Sequence, residues 1–330
     1  MDNSPIPSDL PDFKDPLNII ASILMLVNGV FGIVCNLLIV YIFVRAPSER
    51  NSFNLICICR GIGNCLILGW AFLATFVPMT LLGDSLFSPI YQTIVITSVN
   101  STYTGLQYCG ILIAANRFVA MYFTRFYSRV FNKKFTALQL IILFTYRAIR
   151  LGLELNWNIP KECFTIFSSQ TISWLPDFDD ICRSAPSSII DGSAVILGAL
   201  MIMNLATFVK IYIFYKSTDL EEKEVKRKVR KNKILFIQTI LQDVTYLIDM
   251  LFTYKLFDLI PERYWSFISG SFVWESVHSF DGLIMIMFNE RLTFLRRTFF
   301  PSSSHPTIVP PAKQTVSTAT PSRNLIAPVN

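Results

Sequence analysis

Charge is scarce in this sequence. Asp, Glu, Lys and Arg supply 16% of its 330 residues, where a soluble domain carries about a quarter. Histidine occurs only twice, as His278 and His305, so metal chemistry built on histidine is not expected and no metal ligand is assigned. A Gly-rich phosphate loop, a zinc-spaced Cys/His set and a Ser/His/Asp order are also missing. These gaps leave no catalytic residue to name, no cofactor to expect and no reason to read an enzyme. A nucleic-acid partner is not expected either. Internal repeats are not visible, which counts against a transporter made of two related halves.

What the chain does have is apolar surface: 52% of its residues are hydrophobic and 14% aromatic. Residues 17–44, 61–83, 85–116 and 192–209 hold no Asp, Glu, Lys or Arg. The first three are long enough to cross about 30 Å of hydrocarbon as helices, and the fourth opens a longer apolar helix from Ser187 to Tyr215 that also spans. Three weaker segments near 135–153, 234–257 and 264–288 carry ionisable residues but keep membrane length and composition. The expectation is an all-α, polytopic bundle of seven transmembrane helices near 17–44, 53–82, 89–123, 135–154, 187–215, 234–258 and 264–288. A short head (1–16) precedes it. An interfacial amphipathic helix over 289–299 and a Ser/Thr/Pro-rich disordered tail over 300–330 follow.

Short loops set the expected orientation, because Lys and Arg collect on the cytoplasmic side. Arg45 and Arg50 lie between spans one and two, and Arg125, Arg129, Lys133 and Lys134 between three and four. The run "KSTDLEEKEVKRKVRKNK" lies between five and six, whereas the head holds four Asp against Lys14. The head is therefore expected outside and the tail inside. Span one, too long for a signal-peptide core, reads as an uncleaved anchor.

This frame puts Arg117 at the cytoplasmic end of span three. Asn116, Arg117 and Phe118 stand where rhodopsin-like receptors keep Asp-Arg-Tyr, and the loop "TRFYSRVFNKKFT" is similar to theirs. The segments "SFNLICICRGIGN", "GILIAANRFVAMYF" and "HSFDGLIMIMFNERL" resemble nematode serpentine receptor class X (Srx), with the similarity running over 17–299. The resemblance implies a G-protein-coupled chemosensory receptor in the plasma membrane of sensory neurons. Its partners would be an external small molecule, a heterotrimeric G protein and membrane lipid. The coupling surface would be Asn116, Arg117, Phe118, Lys226, Arg227 and Arg230, with helix six holding Arg117 at rest. The bland alternative makes Arg117 a positive-inside anchor and the lysine run a lipid contact. The chain departs from the rhodopsin pattern at Asn116, lacks a proline in span six, and reads "DGLIMIMF" where Asn-Pro-x-x-Tyr stands in that pattern.

Charges inside the spans draw attention next. Arg60, Asp243 and Asp281 all fall about 12–15 Å from the cytoplasmic ends, where an unpaired charge is costly. Arg60 is expected to pair with Asp281 or Asp243, either to fix packing or as a sign-reversed counterpart of the polar site receptors keep between spans two and seven. Ligand candidates by depth are Asn100, Thr104 and Tyr108 on span three, Tyr246 and Asp249 on span six, and Trp274, Glu275 and His278 on span seven. Glu275 and His278 share a helix face and would bind a polar group or each other. Asn100-Ser101-Thr102 matches a glycosylation acceptor but lies within the membrane. Cys163 and Cys182 fall in the outer loop between spans four and five, and the usual cysteine at the outer end of span three is absent, so a bridge within that loop is expected. The alternative function is a ligand-gated channel or secondary transporter using the acids of spans six and seven.

Overall fold

The computed structural model describes residues 15–47, 50–176, 182, 189–217 and 223–288. Among the described residues seven long helices follow one another: α1 (Pro16–Arg45), α2 (Ser52–Leu82), α3 (Pro89–Tyr122), α4 (Lys133–Asn158), α5 (Ile189–Ser217), α6 (223–256) and α7 (263–288). Their starts follow local chemistry. Asp15, Asn51, Ser88 and Asn132 each cap the helix that follows with a side-chain oxygen, and Pro16 and Pro89 take the first turn, where a missing N–H costs nothing. Gly83 ends α2 at φ 113°, a conformation open to glycine.

Three helices change register within the membrane. In α2 the stretch Ile67–Phe76 is a π-helix, with Val77 N–H reaching back five residues to Phe72 O. Pro78 explains it: the ring has no N–H and crowds the carbonyl one turn earlier, so the ladder opens before it. Further π turns occupy Phe252–Leu256 in α6 and Phe267–Phe272 in α7. Helix six thus interrupts its ladder without the proline that the rhodopsin pattern has.

Helix α3 lies at the centre, packed against α2, α4, α5 and α6, while α7 closes against α1, α2 and α6. Close approach of α1 to α7 needs two glycines: a Cβ on Gly32 would overlap Ser279, and one on Gly282 would stand 2.6 Å from Asn36 Nδ2. The exterior is apolar, with Val27 64%, Val195 73% and Ile202 70% exposed, the reverse of a soluble domain.

By length and apolar composition alone, four described helices are able to cross a bilayer: Pro16–Arg45, Ser52–Leu82, Lys133–Lys161 and Val195–Ile213. Helices α3, α6 and α7 fall short of that measure because they carry more polar residues, many of which are buried. On α3 these include Gln92, Thr93, Thr97, Ser101, Thr104 and Gln107, all buried. Bundle interiors in membranes use such groups to join helices.

Two helices extend past the segments expected to cross the membrane. Helix α4 runs to Asn158, and α6 begins at Lys223, inside the basic run. Arg147, mid-membrane on α4, is anchored by its Nε–H to Ser101 O of α3 at 3.2 Å. The segments 1–14, 289–299 and 300–330, which hold the expected head, interfacial helix and tail, lie outside the described residues.

The loop after α4 adds an element absent from the helical expectation. Strands β1 (Thr165–Ser168) and β2 (Ser173–Pro176) form an antiparallel hairpin in which Phe167 faces Trp174. Cys163 and Cys182 are joined, with Cα atoms 5.4 Å apart. Phe167 and Ile172 are buried, and Phe167 meets Phe76 edge-on at 5.1 Å, so the hairpin plugs the end of the bundle opposite Arg117.

Candidate functional site

The interior holds a continuous polar network centred on Asp281. Arg60 Nη2 donates to Asp281 Oδ1 at 2.6 Å and Arg60 Nε to Oδ2 at 3.3 Å, with both residues almost wholly buried. Two amides complete the carboxylate: Asn64 Nδ2 at 2.7 Å and Gln242 Nε2 at 2.7 Å. One acid on α7 therefore gathers donors from α2 and α6. A charge pair in a low-dielectric interior persists only when its remaining lone pairs are met in this way.

The network continues toward α1 and the plugged end. Asn64 Nδ2 also donates to Asn36 Oδ1 at 3.0 Å, and Asn36 Nδ2 to His278 O at 3.1 Å. His278 Nδ1 lies 2.9 Å from Asn64 Oδ1. That oxygen only accepts, so Nδ1 carries the proton and Nε2 is the free acceptor, without a partner among the described residues. The Arg60 guanidinium stands 5.5 Å over the Tyr246 ring, which packs on Tyr103, and Tyr103 is edge-on to His278.

A second acid, Asp249, accepts from Tyr103 Oη at 2.6 Å and leaves Oδ1 buried without a described partner. Glu275 Oε2 accepts from Asn28 Nδ2 of α1 at 2.9 Å, and its Oε1 is likewise buried and unmet. Nearby, Gln107 Oε1 accepts from Ser193 while its Nε2 has no described partner. Between the Asp281 hub and the hairpin there are thus acceptors on α6 and α7 and a donor on α3 with spare capacity.

Two alternatives left open by the sequence are resolved: Arg60 takes Asp281 as its partner, and Glu275 and His278 do not take each other. Asp243 is not in the Arg60 pair: its Oδ2 accepts from Asn204 Nδ2 on α5, and the two line a groove between α5 and α6. Glu275 and His278 are not joined to each other, since Glu275 is directed to α1 and His278 to α2.

The other candidates are dispersed. Asn100 and Tyr108 are half-buried, and Thr104 turns its hydroxyl onto Asn100 O of its own helix. Trp274 meets Phe72 edge-on at 5.1 Å. Residues unforeseen in sequence are Asn28, Asn36, Asn64, Tyr103 and Gln242. Their one available signal was an amide or phenol in an apolar window, where each demands a partner.

At the other end, Arg117 is 8% exposed and its guanidinium lies 5.1 Å over the Phe53 ring of α2. None of its three nitrogens has a hydrogen-bond partner among the described residues, so the expected clasp from helix six is not seen there. Asn116 is buried with its Nδ2 unmet, and Phe118 stacks on Tyr122 at 4.6 Å. Lys226, Arg227 and Arg230 fall on the first turns of α6, where their side chains are outside the described set.

Comparison with known proteins places this geometry. Residues 26–289 match the family described as serpentine type 7TM GPCR chemoreceptor Srx. The chain is 24% identical over 310 residues to serpentine receptor class X 45 of Caenorhabditis elegans, covering 84% of this chain and 81% of that protein. The matched region begins in the first half of α1 and ends just past α7, taking in the Asp281 hub and Arg117 alike. The chain is a multi-pass, all-α membrane protein that belongs to the Srx class of serpentine seven-transmembrane GPCR chemoreceptors.

Proposed function

We propose that this protein is a plasma-membrane receptor of sensory neurons that binds an external small molecule and activates a heterotrimeric G protein, with its head outside and its tail inside. The observation that carries the reading is Arg117. A guanidinium that is nine-tenths buried, stacked on Phe53 and unmet by described hydrogen-bond acceptors is a site waiting for one. The C-terminal end of any helix carries free carbonyls, and a G-protein segment entering at this end would supply acceptors of that kind.

The ligand would act at the plugged end, where Asp249, Glu275, His278 and Gln107 keep spare hydrogen-bonding capacity. Coupling would run through α6. Gln242 ties α6 to Asp281 on α7, and Tyr103 on α3 ties to Asp249 on α6, so a ligand that competes for Asp249 biases the position of the whole helix. Outward motion of α6 would uncover Arg117. Family membership and the buried network support this reading together.

The test is a response assay in cells expressing the chain, exposed to pooled odorants and secretions, with and without functional G proteins. The response is expected to vanish without them, and with Arg117→Ala at equal surface expression. A current that persists without G proteins would instead favour a channel or transporter that uses the acids of α6 and α7.

A further inference from the structure

Helices α5 and α6 leave a groove of about 300 Å³ between them on the lipid-facing side. Leu197, Met201 and Phe208 form one wall and Phe236, Ile240 and Leu247 the other. On each helix the lining runs over twelve residues, 197–208 and 236–247, about 16 Å of axis. The floor holds Asn204 and Asp243, the polar residues among the described lining.

Their hydrogen bonding is incomplete in one direction. Asn204 Nδ2 donates to Asp243 Oδ2, and among the described residues this is the only donor that Asp243 receives. Asn204 is 4% exposed, and its Oδ1 is buried without a partner. The floor therefore keeps acceptors on both side chains that the single Asn204 amide donor does not meet, among the described residues. Lipid tails have none to give, and a buried acceptor left unmet is costly.

We propose that this groove binds a membrane-dissolved amphiphile with a single apolar chain and a primary amine head, the amine donating to Asp243 and Asn204 Oδ1. Three donors on one small cationic head match the acceptors on the floor. The apolar walls accept the chain. A phospholipid amine does not fit, because Asp243 lies ten residues beyond Lys233, about 15 Å along the helix from the last basic residue of that run. A headgroup anchored beside its phosphate stays at the interface. The proposal does not rest on G-protein coupling, since binding is read directly.

The experiment uses the full chain in phosphatidylcholine nanodiscs and a diazirine-bearing dodecylamine, with the dodecanoic acid of matching diazirine position as comparator. Labelled peptides are quantified by mass spectrometry. The amine is expected to label peptides covering 197–208 and 236–247 roughly tenfold more than the acid, as one charge-assisted contact implies. Asp243→Asn should bring the two probes to parity. Leu205→Trp, which fills the groove and leaves both acceptors in place, should remove labelling there by either probe at unchanged melting temperature. Equal labelling by amine and acid in the native chain would mean an ordinary lipid-facing surface and would overturn the proposal. So would an amine excess that survives Asp243→Asn or Leu205→Trp, or loss of the amine signal when phosphatidylethanolamine is added.

Discussion

Asp281 accepts four hydrogen bonds from three side chains, so its partners cannot be removed independently. Arg60→Ala leaves a buried carboxylate with two amide donors, and Asp281→Ala leaves a buried guanidinium facing Tyr246. Each is expected to cost about 3–5 kcal/mol. The double change should cost less than the sum, with about 0.5–3 kcal/mol of coupling read from melting in detergent. Strict additivity would refute the pair. Exchanging the charges, Arg60→Asp with Asp281→Arg, should rescue surface expression only in part, because the new arginine would face Asn64 and Gln242 donors. Tyr103→Phe leaves Asp249 buried without its donor and should lower stability by about 1–3 kcal/mol. An unchanged melting temperature would show that Asp249 needs no partner. At this scale the sequence disclosed that Arg60 needed an acid but not which one. Asp243 and Asp281 lie at similar depths, and depth along an axis is legible where rotation about it is not. The faces of α6 and α7 are set by packing, as at Gly282, which lets Asn36 approach.

The β1–β2 hairpin is held at several points that differ in strength. Arg263 of α7 reaches Ser169 O, with Nη2 at 2.6 Å and Nε at 3.0 Å, and pairs with Asp15 at 2.7 Å. Asp84 Oδ2 accepts from Ser169 N and Oγ, both at 3.0 Å, and Gln92 Oε1 accepts from Phe167 N at 2.8 Å. Ile172 takes φ 49°, unfavourable for a β-branched side chain, and its carbonyl is met by Ser271 Oγ at 3.0 Å. A turn strained in this way depends on its ties. Arg263→Ala is therefore expected to speed amide exchange over Ile166–Trp174 by about tenfold or more while leaving the centres of α2 and α3 protected. Exchange that stays slow would show that Phe167 and Ile172 hold the plug by burial alone. The hairpin was hidden in the sequence because four-residue strands in a loop give too few positions for an alternating pattern. The helices were legible, since length and apolar composition need no knowledge of neighbours, and four of the seven were also marked by freedom from charge. Their ends were less so: basic residues exclude a helix from lipid but not from being helical, and α6 starts eleven residues before its apolar part.

For the molecule as a whole, orientation decides whether Arg117 meets a G protein or the outside. Its end of the bundle carries Arg45, Arg50, Arg125, Arg129, Lys133 and Lys134 in short connections, and α6 enters there through Lys226, Arg227 and Arg230. Among the described residues, the plugged end has Asp15, Asp84, Glu162, Asp258 and Glu262 against Lys161, Lys255 and Arg263. Positive residues in short loops stay on the cytoplasmic side during insertion, and acids weigh little. The Cys163–Cys182 bridge lies at the plugged end, which fits an oxidising exterior. Two reporters, each adding one cysteine, distinguish the arrangements. Glu162→Ser paired with Lys161→Cys places a thiol beside the hairpin, and Arg129→Cys places one beside the loop after α3. In intact cells a membrane-impermeant maleimide is expected to label the first and to reach the second only after permeabilisation. An epitope at the N-terminus should be detected without permeabilisation, and one at the C-terminus should not. The reverse pattern would put Arg117 and the basic run outside the cell, and the G-protein reading would fall even if every helix and every contact of the Asp281 hub were correct.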